Sequence, residues 1–390
     1  MAPPRLRRHR ALIVWWEGAQ PVFHNYLKKR TIRPEARTFE FLDFFSEWRG
    51  PEDVAQAFPT LDRRILARAV NRLHASALLE AEDEPAPPEA GILQWEWGLP
   101  VKLFHMAVRN LDYASNFQQQ LLLYQERLAK APQPSLFKNL DDAPHIPLPR
   151  ELTANHTPLD VALLERTTCR QWLRQPISLD ALARLLYMTW GVTGCHVDTV
   201  TGPLLHKTSP SGGSRHPTEV YPVVLNVEGV PPGIYHYSVE HHRLERVRAG
   251  HFGALISWIA AGQDWLANAA VICVMTSRVE RVMWKYPTDR AYRVMTLDLA
   301  HLCQTFYLLS TAMGLGPFTT GAFRDVRLER ELGLDSAWEP AMYLCAAGVR
   351  DPSAYTSLEP CVRRGEDGRL HLDDHLWKPP ADAGPAIEME

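Results

Sequence analysis

The chain has 390 residues, 46% of them hydrophobic, and a formal net charge of −3 at pH 7. Such a length suits two domains with real cores, and the near-neutral balance excludes whole-chain affinity for nucleic acid, a local basic patch aside. No apolar run approaches the roughly 20 residues that a membrane span needs, so a cytoplasmic protein is expected.

The first residues, MAPPRLRRHRALIVWWEG, resemble a signal peptide only superficially. The apolar run ALIVWW is short and no small-residue cleavage site follows, so it reads as a strand. TFEFLDFFSEW then has one apolar face and reads as a helix, broken at Gly50-Pro51. PEDVAQAF makes a second helix that starts on its proline. The third begins with Thr60 as N-cap and buries Leu61, Ile65, Leu66, Ala69, Val70 and Leu73. ALLEAE follows as a strand. Three helices and a strand are the order of a winged helix. The third helix carries Arg64, Arg68 and Arg72 on one face. Three readings stay open for that stripe: a solvated face, a surface for a peptide or partner, and a DNA-reading helix. The last lacks a second basic element.

EPAPPEAG reads as a linker and FQQQLLLYQERLAK as a helix. Residues 131–158 are dominated by proline and polar side chains, too long for an ordinary connection, so the main boundary is placed there. From about residue 158 the pattern alternates. A helix capped by Ser178 ends at Gly191. EVYPVVLNV, GIYHYSV and HRLERVR read as strands, FGALISWIAAG as a helix. AAVICVMTSRV and AMYLCAAGV are apolar enough to be buried on both faces. Between them runs the longest helix, apolar nearly all round and hence central or at a subunit interface. The fold class is α+β. The domains are 1–98, winged-helix-like; 99–157, a helical and proline-rich connection; 158–352, the main domain; and 353–390, an extension whose PPADAGPAIEME is expected to be disordered.

Six cysteines form no Cys-x-x-Cys pair, which favours reduced, buried thiols and no metal site. Three stretches carry chemistry. ERTTCRQW (165–172) sets Arg166 and Arg170 around Thr167 and Thr168, a donor set for phosphate or another anion, or a helix start with surface arginines. SPSGGSRHPTEVYP (209–222) holds Gly212 and Gly213, which admit close backbone approach. No lysine follows and a strand, not a helix, opens, so it is not a phosphate loop; by itself it reads as a turn. WKYPTDRAYR (284–293) places Lys285 beside Tyr286. An ammonium there favours phenolate, making the tyrosine a general base, unless the stretch is a plain surface loop.

Taken in this order and spacing, RTTCR (166–170), PSGGSRHPTE (210–219), VEGVPPGIYHY (227–237), KYPTDRAYR (285–293), HLCQ (301–304) and GAF (321–323) resemble the FMN-dependent nitroreductase superfamily. More narrowly they resemble its SagB- or ThcOx-type azoline dehydrogenases, which mature ribosomally made peptides. The resemblance covers residues 160–352. It implies a mixed sheet flanked by helices, with the long helix at a homodimer interface. It implies that Arg166, Thr168 and Arg170 hold the phosphate and pyrimidine side of FMN. Pro210, Ser211, Gly212 and Gly213 then line the flavin, with backbone donors near Gly321. Lys285 and Tyr286 match the pair assigned to proton abstraction. The upstream winged helix, with Arg64, Arg68 and Arg72, fits recognition of a peptide substrate through its leader, and a cyclase is an expected partner. Where the family pattern has Ala-Leu-Tyr this chain has Ser214, Arg215 and His216, expected to face the substrate. An NAD(P)H-dependent reductase of nitro, quinone or dehydroamino-acid groups, and a non-catalytic peptide- or DNA-binding partner protein, are the alternatives.

Overall fold

A computed structural model describes residues 4–35, 38–111, 116–154, 156–198, 202–354, 362–365 and 369–372. The terminal stretch expected to be disordered lies outside the described residues. The chain forms two compact units, Met1–Ala114 with Thr288–Arg290, and Ser115–Pro287 with Ala291–Glu390.

The first unit opens with β1 (Leu6–Arg8), then β2 (Leu12–Glu17), β3 (Gln20–Asn25) and β4 (Arg30–Ile32). β2, β3 and β4 form an antiparallel meander, and ALIVWW contributes the strand expected of it. α1 (Thr38–Phe44), α2 (Pro51–Ala57) and α3 (Arg63–Ala75) follow, then β5 (Leu79–Ala81), which pairs with β1, and α4 (Leu99–Ala107). Helix, helix, helix, strand is thus the observed order, but the hairpin precedes the helices instead of following the third. The N-cap of α3 is Asp62, not Thr60: its carboxylate accepts from the Arg64 and Ile65 amides. Leu66 is buried, while Leu61, which lies ahead of the helix, and Ile65 are 43% and 56% exposed. EPAPPEAG is not wholly a linker, because a 3₁₀ turn takes up Pro88–Gln94.

The second unit begins with α5 (Phe117–Lys130), β6 (His145–Pro147), α6 (Leu159–Glu165), α7 (Leu179–Trp190) and the hairpin β7 (Gly194–Asp198) and β8 (Gly202–His206). Next come β9 (Thr218–Val224), β10 (Gly233–Ser238), β11 (Arg243–Ala249), α8 (Gly253–Ile259), β12 (Val271–Ser277), α9 (Val279–Lys285) and α10 (Arg290–Ala312). β13 (Leu315–Thr320), α11 (Asp325–Leu332), β14 (Ala341–Val349) and the short pair β15 (Val362–Arg364) and β16 (Leu370–Leu372) complete it. Ser178 caps α7 by accepting from the Ala181 amide, as its sequence position implies.

Seven strands build one sheet in the order β13-β14-β12-β9-β10-β11-β6. Every pairing in it is antiparallel, so the mixture in this fold lies in its helix and sheet layers and not in strand direction. The proline-rich stretch is no spacer, since β6 forms the sheet's edge against β11. β12 is buried along its whole length because both sheet faces are covered. Its Val271, Cys273 and Met275 pack with Leu182, Leu186 and Trp190 of α7 and Leu299 and Phe306 of α10. Ile272 and Val274 face the other way, toward Ile256 of α8 and Leu328 and Leu332 of α11. A period of two thus supplies both cores. Each fully buried large apolar side chain contributes about 1.5–3 kcal/mol.

Candidate active site

α10 is the beam on which the stretches singled out above are fixed. Asp298 lies in its middle, a buried acid among apolar neighbours. Its carboxylate accepts from Ser211 Oγ at 2.5 Å and from the Gly212 amide at 3.1 Å. Ser211 Oγ in turn accepts from the His216 amide at 2.9 Å, which curls the loop into a tight turn. Seven positions further along the helix, Thr305 Oγ1 bonds Ser209 Oγ at 2.6 Å. Gly213 sits at φ +62°, where a side chain is strained, and a Cβ there would fall on Tyr286 Oη and 2.7 Å from Lys285 Nζ. The glycine therefore lets the second and third stretches meet.

Lys285 is the last residue of α9 and Tyr286 its C-cap, whose amide donates to the Val282 carbonyl. Lys285 Nζ donates to the Gly213 carbonyl at 3.2 Å, and Arg215 Nε donates to the same oxygen at 2.9 Å. Two cations thus converge on one backbone acceptor. Burial, reinforced by Arg215, lowers the Lys285 pKa. Burial raises that of Tyr286, against a smaller opposing effect of Arg215. The bare Lys-Tyr dipeptide suggested phenolate beside ammonium; burial instead favours the protonated phenol and the neutral amine.

Ser214, Arg215 and His216 do not stand open at a site mouth. Ser214 Oγ and His216 Nε2 both bond the Leu205 carbonyl of β8, at 2.6 and 2.9 Å. Arg215 is 2% exposed, with its guanidinium 5.6 Å from the Trp284 ring centre. His216 is held neutral, its pKa pushed down to about 4 by burial and by Lys207.

The 166–172 segment follows α6 and lies along β13: the Cys169 amide donates to the Pro317 carbonyl at 2.7 Å and Trp172 Nε1 to the Gly316 carbonyl at 2.8 Å. Gly316 is obligatory there, since a Cβ would meet Cys169 Sγ at 2.5 Å. Arg166 packs over the Tyr307 ring of α10, and Arg170 over Trp265 and Phe318. Neither guanidinium has an acidic partner among the described residues. Thr168 Oγ1 reaches Tyr307 Oη at 3.1 Å, and Thr319 links that hydroxyl to Tyr343. Gly321 follows β13 with its Cα hydrogen side toward the Tyr343 ring. Asp298 and Tyr307 are about 14 Å apart along α10, at 1.5 Å per residue. An unpaired basic end and a glycine-lined end thus share one helix.

The sequence reading missed several residues. Asp298 was legible as a lone acid in an apolar helix. Arg281 and Glu219 were not. They form an ion pair at 2.7 Å, both 4% exposed, and Glu219 also meets His236 at 3.2 Å. Arg281 donates to the Ser135 and His216 carbonyls too, which ties α9 to the glycine loop. Arg64, Arg68 and Arg72 are exposed on α3 of the first unit. A cavity of about 550 Å³ in that unit is lined by the neighbouring stripe Arg63, Ala67, Asn71 and His74 instead. Among the described residues no His/Cys/Asp/Glu group could hold a metal, and no helix is long and apolar enough to cross a membrane.

Fold and site define an α+β protein in which the 166–172 segment and the glycine loop with the lysine–tyrosine pair are held at two places along α10. The nitroreductase family model matches residues 163–349. A nitroreductase-class protein of Methanocaldococcus jannaschii is 31% identical over 167 residues, 43% of this chain and 80% of that one. The chain belongs to the nitroreductase family. The trifolitoxin-processing protein TfxB of Rhizobium leguminosarum is 27% identical over 329 residues, 77% of this chain and 85% of its own. A nitroreductase-like crystal structure from Anabaena variabilis aligns with a TM-score of 0.48 at 21% identity, covering 62% of this chain and 49% of that one.

Proposed function

We propose that this protein is an FMN-dependent dehydrogenase of the SagB or ThcOx type that matures a ribosomally made peptide, oxidising an azoline-like ring to the azole. The observation that carries the reading is the meeting of Lys285 and Tyr286 with the Gly213 turn. The likeness to a trifolitoxin-processing protein supports it, because that likeness extends well beyond the family-matched region.

The residues fit the cofactor. Arg166, Arg170 and Thr168 offer cationic and hydroxyl donors that meet no acid among the described residues, as a phosphate requires. Pro210, Ser211, Gly212 and Gly213, with the turn after Gly321, offer backbone without bulky side chains. FMN, when bound, supplies the acceptor for the hydride that ring oxidation releases. Lys285, whose pKa burial lowers, takes the accompanying proton as the free amine, and Tyr286, whose pKa burial raises, stays protonated to donate a hydrogen bond to the ring. Removing one hydride and one proton accounts for the two electrons and two hydrogens that separate azoline from azole.

Further parts of the reading concern partners. Leu297 of α10 is 51% exposed, which suits a homodimer contact. The 1–98 region is the peptide-recognition part, with Arg64, Arg68 and Arg72 beside the α3 cavity suited to an acidic leader segment; a cyclase would supply the azoline. Ser214, Arg215 and His216 then shape the site from behind, through β8 and Trp284.

The test is direct. Lys285→Ala and Tyr286→Phe keep bound flavin but lose aerobic oxidation of an azoline peptide. Unchanged turnover in both refutes the assignment, colourless protein that takes up no FMN refutes the flavin reading, and rapid anaerobic bleaching by NADPH favours a reductase of the same fold.

A further inference from the structure

α5 lies upstream of the family-matched residues 163–349, yet it reaches the lysine–tyrosine end of the site. Asn116 caps it, accepting from the Gln119 amide at 2.9 Å. Trp284 Nε1 donates to the Ala131 carbonyl at its far end, at 3.0 Å, which fixes α9 against it. Between these anchors Tyr124 meets the Trp284 ring edge-on, centroids 5.6 Å apart and planes at 85°. Its ring centre stands 5.2 Å from Lys285 Nζ, and the Tyr286 ring centre stands 5.7 Å from the same atom. The Tyr124 hydroxyl is buried and has no hydrogen-bond partner among the described residues.

An ammonium within about 6 Å of an aromatic face is attracted by the ring's quadrupole, more strongly where water is excluded. Lys285 therefore has three fixed points: the Gly213 carbonyl, the ring of its neighbour, and a ring from a distant helix. We propose that Tyr124 is a positioning residue, whose ring holds the Lys285 ammonium against the Gly213 turn and favours its cationic form. The proposal rests on the reading of Lys285 as the proton-handling group.

The other groups that face Lys285 are known. Arg215 on the glycine loop opposes its charge, Asp198 of β7 favours it, and Tyr286 is a neutral phenol, itself influenced by Asp298. Burial and Arg215 both push the lysine toward the neutral amine. The Tyr124 face acts in the opposite direction, so the ring limits how far the amine is depressed.

The test measures the Lys285 titration directly in the full-length protein, by the pH dependence of acylation with acetic anhydride, read residue by residue by mass spectrometry. Tyr124→Leu should move the Lys285 half-point down by about half to one pH unit, the size of a partly desolvated cation–π contact. Tyr124→Met, which fills the space without a π face, should do the same. Tyr124→Phe keeps the face and should leave the profile in place. Leu and Met profiles that coincide with the parent, or a Phe profile that shifts as far as theirs, overturn the proposal. The same variants separate it from the functional reading. If acylation shifts and the pH dependence of kcat/KM for peptide oxidation shifts with it, both stand. If acylation shifts alone, the role of Tyr124 stands and Lys285 is not the proton-handling group.

Discussion

Lys285 Nζ donates to the carbonyl of Gly213, 72 residues earlier in the chain, at 3.2 Å. That contact joins the last turn of a helix to a loop fixed by Asp298 on another helix. Its existence depends on the missing side chain at Gly213. Gly213→Ala places a methyl group on Tyr286 Oη in a left-handed backbone conformation, at a cost of about 1–2 kcal/mol for the backbone alone. The Lys285 and Tyr286 termini must then move aside. The expected outcome is a fall of roughly tenfold or more in turnover, with flavin content little changed and the denaturation midpoint lowered. Parent-like turnover in a folded Gly213→Ala protein would break the link between the turn and the pair.

How much of this was legible in the sequence follows from what each feature depends on. The glycine pair, the two arginines and the lysine–tyrosine dipeptide are local, and local pattern sufficed to single them out. The strands β12 and β14 were legible because continuous apolar runs have few other uses. Strand direction was not, because it depends on pairing between segments far apart. The titration of Tyr286 was misjudged for a related reason: the neighbouring lysine is written in the sequence, but the burial that outweighs it is a tertiary property. The fate of Ser214 and His216 was hidden likewise, since the carbonyl they share belongs to Leu205.

Arg281 and Glu219 form a second long-range clamp on the same helix. Burial works against the Glu219 carboxylate, but Arg281 and then His236 more than offset it and hold its pKa down at about 2. Glu219→Gln leaves the buried Arg281 guanidinium without its carboxylate, which typically costs about 3–5 kcal/mol. Arg281→Met should cost less, because Glu219 keeps His236. The double variant should be more stable than the sum of the two predicts, because it leaves neither charge stranded. Chemical denaturation of the four proteins closes the cycle; additive losses would mean that the pair is not a unit.

The two arginines of the 166–170 segment make a separate prediction about the cofactor. Each lies on an aromatic face and lacks an acidic partner among the described residues. A charge-assisted hydrogen bond to an anion contributes about 1.5–3 kcal/mol. Arg166→Ala and Arg170→Ala should each weaken FMN retention by roughly 10- to 100-fold, while leaving the apo-protein's stability within about 0.5 kcal/mol of the parent. Equilibrium dialysis against free FMN reads the first and thermal unfolding the second. The same variants should bind riboflavin, which lacks the phosphate, as the parent does.

Two histidines set opposite limits on stability across pH. His236, between Glu219 at 3.2 Å and Glu245 at 2.9 Å, is wholly buried; burial lowers its pKa but the two carboxylates raise it further, so the net shift is upward. It binds its proton more tightly folded than unfolded. Its contribution is complete below the unfolded value of about 6.5 and is lost as pH rises through the raised folded value. His216 is the reverse case, at about 4 when folded. Its contribution is present above about 6.5 and is lost as pH falls toward the folded value, at up to about 1.4 kcal/mol per pH unit. The two limbs meet near pH 6.5, where stability should pass through a maximum. His216→Asn isolates the acid limb. Its residue already has φ +43°, which asparagine tolerates, but the shorter amide gives up the bond that Nε2 makes to the Leu205 carbonyl. The variant should be about 0.5–1.5 kcal/mol less stable than the parent at pH 7 and lose about 2–3 kcal/mol less than the parent between pH 6.5 and 4. Denaturant midpoints at half-unit steps of pH measure both curves, and superimposable acid limbs would remove His216 as the cause.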